Sequence, residues 1–201
     1  MRFIGITGGV GSGKTELLRY IRKHYKCEVY LADEVAHEVK LPGTKCYKEL
    51  TALLGSEIIK SDGQIDKAVM ADKIFADKQL LMQVNAIIHP AVREFLTEKF
   101  TRAKQLGEAE LFFVEAALLI EAGYAQVADE LWYVHVDREI RAKRLAAARG
   151  YSAEKFDSIT ENQLSEEEFR KHCGFVIDNS GSLEDSYRQI DKKLEAFTWR
   201  E

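Results

Sequence analysis

The chain has 201 residues, enough for one sizeable domain with inserted lobes but short for two independent ones. A hydrophobic fraction of 46%, a charged fraction of 31% and only two prolines exclude a disordered chain, and a net charge of -4 excludes a global basic field for holding a nucleic acid. Three widely separated cysteines, Cys27, Cys46 and Cys173, in no metal-ligand spacing, argue against a disulfide framework or structural zinc and for a reducing cytoplasm.

Arg2 to Thr7 reads as a short buried strand, with no cleavable hydrophobic segment before it, so an unprocessed protein is expected. Gly8-Gly9-Val10-Gly11-Ser12-Gly13-Lys14-Thr15 follows and fits the whole phosphate-loop pattern, with a helix from Lys14 to Tyr25 behind it. Glycines there let successive N–H groups aim inward, and the helix N-terminus adds partial positive charge beside a phosphate. Lys14 then bridges the β- and γ-phosphates of a nucleotide, and Thr15 ligates Mg²⁺.

Cys27 to Leu31 is a second strand candidate, followed by a helical Asp33 to Val39 that Pro42-Gly43 interrupts. Asp33, beyond that strand, suits a carboxylate orienting an acceptor hydroxyl and equally suits an ordinary helix N-cap. From Thr44 to about Leu106 the pattern is helical, with Pro90 where a new helix can begin and His89 as its capping neighbour. Strand candidates resume at Glu110–Val114, Glu130–Val136 and Phe175–Ile177, and an amphipathic helix spans Ser182 to Phe197.

The expected fold class is therefore α/β: a P-loop three-layer fold with a five-stranded parallel sheet and an inserted helical lobe. Glu115, ending the third strand, is a candidate to touch Mg²⁺ or a plain strand-end carboxylate in solvent. Arg141, Arg144 and Arg149 have a spacing that suits phosphate clamping and also suits a solvated helix face. A phosphate loop alone leaves kinases, GTPases, motors, ATP-driven switches and non-catalytic nucleotide sensors open.

Gly5-Ile6-Thr7-Gly8-Gly9-Val10-Gly11-Ser12-Gly13-Lys14-Thr15, Ala32-Asp33, His89-Pro90, Leu118-Leu119-Ile120-Glu121 and Val176-Ile177-Asp178-Asn179 together resemble the dephospho-CoA kinase family, in order and over nearly the whole chain. The resemblance implies an ATP-dependent kinase that phosphorylates the 3′-hydroxyl of dephospho-CoA, with Mg²⁺. It implies one kinase domain with a core at about 1–33, 108–137 and 173–201, a CoA-binding lobe at about 34–107 and a lid at about 138–172.

Carried over by position, the resemblance makes Asp33, Lys14 and Arg141 catalytic and puts Gly11, Ser12, Gly13, Lys14, Thr15 and Glu16 on the ATP phosphates. Arg149 then belongs to the lid, Asn179 lies by the adenine and His89 is on the substrate side. A small-molecule partner, no nucleic acid, no membrane and a monomer or weak homo-oligomer are expected. The chain departs from the family pattern at His37, where an arginine is usual, at Ala117 for a proline, at Ile159 for a lid arginine and at Cys173-Gly174 for Ala-Asp.

Overall fold

A computed structural model describes residues 1–198. Its elements run β1 (Arg2–Thr7), α1 (Lys14–His24), β2 (Cys27–Leu31), α2 (Ala32–Glu38), α3 (Lys45–Leu54), α4 (Lys67–Ala76), α5 (Lys78–Leu106), β3 (Leu111–Glu115), β4 (Glu130–His135), α6 (Arg138–Arg149), α7 (Ala153–Glu161), α8 (Glu166–His172), β5 (Phe175–Asp178) and α9 (Leu183–Thr198). The strands form one sheet in the order β2-β3-β1-β4-β5, with β1 pairing parallel to β3 and β4, and β4 parallel to β5. The parallel α/β architecture expected from the sequence is what the chain adopts.

The order puts the glycine-rich loop at the end of the central strand. Phe3, Ile4 and Ile6 of β1 and Phe112 to Val114 of β3 are buried, as continuous apolar runs require when both sheet faces are covered. Trp132 of β4 is fully buried, edge-on to Phe113 at 5.4 Å and to Phe175 at 5.0 Å between ring centres. Its indole N–H donates to Glu130 at 3.0 Å, so the ring is buried without an orphaned donor.

Two compact units are distinguishable, one made of Met1–Val29 and the chain from Gly107 onward, the other of Tyr30–Leu106. In the first, α1 meets α9: Tyr20 stacks on Tyr187 at 3.9 Å, and the hydroxyls of Tyr20 and Tyr25 both donate to Asp191. Burial and the Asp191 carboxylate push the Tyr20 phenol up to about 12.

The second unit is helical around α5, on which α2, α3 and α4 pack. Cys46, Leu50, Leu54, Met70, Val84, Val92 and Leu96 form its core. Here the structure corrects the reading of Pro90. It starts no helix; it lies inside the 29-residue α5. A proline there removes one intrahelical donor, at a cost of ~3 kcal/mol, but Val84, Val92 and Leu96 are buried on either side of it and hold the helix through the break. His89 is accordingly a helix-interior residue and caps nothing.

Candidate phosphate-binding site

Thr7 closes β1 fully buried, and its hydroxyl donates to the Ala117 carbonyl at 3.3 Å, tying the strand end to the turn after β3. The chain then turns through Gly8 to Gly13. Ser12 N–H donates to the Gly9 carbonyl at 3.1 Å, and the Gly13 carbonyl accepts from Glu16 at 3.0 Å as α1 begins. Gly13 sits at φ 88, in the left-handed region that favours glycine, and a Cβ there would run into the amide nitrogen of Asn179.

Lys14 folds over this loop. Its ammonium donates to the Gly8 carbonyl at 2.7 Å and lies 3.6 Å from the Glu115 carboxylate. Glu115 is the last residue of β3, and β3 pairs with β1, which brings this acid to the loop. Thr15 and Glu16 open α1; the Thr15 side chain is exposed at the helix N-terminus, where the unpaired N–H groups favour an anion.

Arg141, in the second turn of α6, covers the loop from the other side. Its guanidinium stacks on Phe156 of α7 at 5.3 Å, and a Cβ on Gly9 would collide with it. Among the described residues it makes no ion pair, and its Nε is buried without a partner. Burial, with help from the neighbouring Arg138, lowers its pKa. A half-buried guanidinium beside a phosphate loop and with no carboxylate is stabilised by an anion placed there.

Two further buried polar atoms at the loop lack partners. They are the hydroxyl of Ser12, a residue 1% exposed, and the side-chain oxygen of Gln163. Sequence reasoning missed Gln163 because nothing in Glu161-Asn162-Gln163 distinguishes it locally from a polar turn.

Asn179, expected beside adenine, is turned into the protein. Its amide donates to the Ser12 carbonyl at 2.7 Å, its oxygen accepts from Ser186 at 2.8 Å, and it is 1% exposed. Its side chain therefore braces the loop, and Ser186 braces it in turn. Arg149 is not drawn to Gly9: it ends α6 exposed, eight residues past Arg141 and so about 12 Å further along the axis at ~1.5 Å per residue.

Asp33 and His89 lie in the Tyr30–Leu106 unit. Asp33 is exposed in the first turn of α2, whose N-cap is Leu31, so the N-cap reading of this aspartate fails. His89 is half-buried on α5, and burial lowers its pKa. In the same unit His37, Lys40 and Lys67 line a cavity of about 210 Å³ floored by Ile65, Met70 and Ile74. Burial, and secondarily Lys67, lowers the pKa of Lys40.

A phosphate loop on the central strand of a parallel sheet, with an arginine-bearing helix against its glycines, makes this a P-loop kinase fold. A family model described as dephospho-CoA kinase matches residues 2–185. Dephospho-CoA kinases from Aquifex aeolicus and Geobacter sulfurreducens are 36% and 35% identical to the chain, over 98% and 96% of both partners. A crystal structure from Thermus thermophilus superposes with a TM-score of 0.79 at 33% identity, covering 97% of each chain. A shikimate kinase from Acinetobacter baumannii, 12% identical with a TM-score of 0.57, covers 100% of this chain and shares 96% of its own; it shows the fold alone.

The chain belongs to the dephospho-CoA kinase family. It is an ATP-dependent kinase.

Proposed function

We propose that the protein transfers the γ-phosphate of ATP to the 3′-hydroxyl of the dephospho-CoA ribose, giving CoA and ADP, the last step in forming coenzyme A. The family match over residues 2–185 is the observation that carries this reading. The phosphate loop and the half-buried, carboxylate-free Arg141 guanidinium at Gly9 support it independently of any relative.

In this reading the loop N–H groups from Gly11 to Glu16 hold the β- and γ-phosphates. Lys14 leaves the Gly8 carbonyl for them, and Arg141 neutralises charge on the transferring group. The acceptor oxygen forms its bond to phosphorus as the bond to the ADP oxygen breaks, and the hydroxyl proton passes to Asp33. Exposure of the Asp33 carboxylate suits a base that must meet a substrate. His89 takes part on the substrate side, and Arg149 meets the nucleotide from the end of α6. The core, helical lobe and lid correspond to about 1–33 with 108–137 and 173–201, 34–107 and 138–172.

Thr15 and Glu115 are hard oxygen donors of the kind Mg²⁺ selects and are the residues that would hold it. Bound there with ATP, Mg²⁺ supplies charge neutralisation on the phosphate oxygens. Three free cysteines support a cytoplasmic setting, and among the described residues no helix is long and apolar enough to cross a membrane. A monomer or weak homo-oligomer acting on a small molecule, without nucleic acid, fits the acidic balance.

Steady-state ADP release tests the reading. Turnover should appear with dephospho-CoA and stay at background with nucleosides, nucleotides or pantetheine added instead. Release with every acceptor alike, or only without one, would replace it by a nucleotide hydrolase.

A further inference from the structure

Two buried polar atoms without partners, Arg141 Nε and Gln163 Oε1, belong to side chains that meet over Gly9 of the phosphate loop. Gln163 follows α7, its backbone N–H donating to the Thr160 carbonyl at 3.1 Å, and its side chain turns in toward Gly9. The point where a Gly9 Cβ would stand lies 2.9 Å from Gln163 Oε1 and 2.9 Å from Arg141 Cζ, so amide and guanidinium share one small space. An amide oxygen can only accept, and a guanidinium can only donate. Leaving both unsatisfied under burial is costly, and native structures keep such atoms where a further group completes them.

We propose that Gln163 is a positioning residue for the terminal phosphate: the two side chains face one another unbonded in this structure, and when the phosphate binds, the Gln163 amide oxygen accepts from the Arg141 guanidinium and aims that fork across Gly9 at the γ-phosphate oxygens. Phe156 holds one face of the guanidinium but leaves rotation in its own plane unfixed, and Arg138, on the same ring at 5.1 Å, is itself paired with Asp157. Gln163 supplies the missing orientation without charge. A carboxylate in its place would neutralise the arginine and repel the phosphate.

The inference rests on the kinase reading, since the anion is taken to be the terminal phosphate of ATP. Calorimetric titration of the full chain with ATP and with ADP tests it, in the wild type, Gln163→Ala, Gln163→Met, Arg141→Ala and the Arg141→Ala/Gln163→Ala double variant. Methionine keeps the unbranched length and packing and removes the oxygen. Either Gln163 variant should bind ATP about tenfold more weakly while changing ADP affinity less than about twofold. The double variant should match Arg141→Ala within about twofold, because Gln163 acts only through that arginine. Unchanged ATP affinity in both Gln163 variants, equal losses for ATP and ADP, or losses that multiply in the double variant each overturn the proposal. If the expected couplings appear but no CoA forms, the acceptor reading fails and this one stands; if CoA forms and Gln163 is silent, the reverse holds.

Discussion

The side-chain amide of Asn179 donates a 2.7 Å hydrogen bond to the carbonyl of Ser12, joining two positions 167 residues apart in sequence. One lies just past β5 and the other inside the phosphate loop, so the last strand of the sheet fixes the backbone that meets the nucleotide. Ser186 holds the other end of the same amide from α9. The loop is thus shaped by a buried chain of hydrogen bonds as well as by its own glycines.

Replacing Asn179 by alanine should lower stability by about 1–3 kcal/mol, the range for a buried group left without its partner. It should raise the KM for ATP as the loop relaxes. Asn179→Asp should be worse, because a carboxylate oxygen would then face the Ser12 carbonyl. Thermal melting and ATP kinetics check both; an Asp variant equal to wild type would show that the amide nitrogen is not the group in use.

Lys14 and Asp33 should fail differently. Lys14→Ala removes a cation from the phosphates and should weaken ATP binding while cutting turnover by roughly 100-fold or more. Asp33→Asn keeps size and removes basicity, so ATP affinity should hold while turnover falls by about 100-fold or more. Equilibrium ATP binding beside single-turnover transfer separates them, and wild-type transfer in Asp33→Asn would remove that residue as the base.

Gly9→Ala tests whether Arg141 occupies the space over the loop. The added Cβ meets the far end of a flexible arginine, so the melting temperature should shift little while the guanidinium is displaced. ATP affinity should fall by about tenfold, and the loss should largely vanish in an Arg141→Ala background. Additive losses would mean that Gly9 acts on the loop backbone alone.

Burial holds the His89 imidazole below the ordinary histidine range. The unfolded chain therefore takes up this proton first as pH falls below about 6.5, and the associated stability, fully present above that value, declines toward the lower folded pKa. Melting between pH 7 and 5 should show a shallower fall for His89→Gln than for the wild type. An identical slope would locate the acid sensitivity elsewhere.

The parallel sheet and the loop were legible because strand–glycines–helix is a local pattern, and a carboxylate at the end of β3 follows from the strand run before it. Pro90 was misread for a reason that lies outside its neighbourhood. Proline at a helix start and proline inside a helix look alike locally, and the buried Val84, Val92 and Leu96 decide between them. Asp33 suits a helix N-cap and a base equally from local sequence, and only the start of α2 one residue before it removes the cap reading. The inward turn of Asn179 and the approach of Gln163 to Gly9 depend on contacts across the fold, which periodicity does not encode.

Identification of the product decides whether this protein makes CoA. The purified protein, Mg-ATP and dephospho-CoA are incubated beside a panel of nucleosides, nucleotides and pantetheine compounds, and the products are resolved by mass spectrometry with the phosphate position assigned by phosphorus NMR. CoA, phosphorylated at the ribose 3′-oxygen, is the expected product, with no other acceptor phosphorylated. A different acceptor, a phosphate elsewhere on the ribose, or bound ATP with no transfer at all would contradict it.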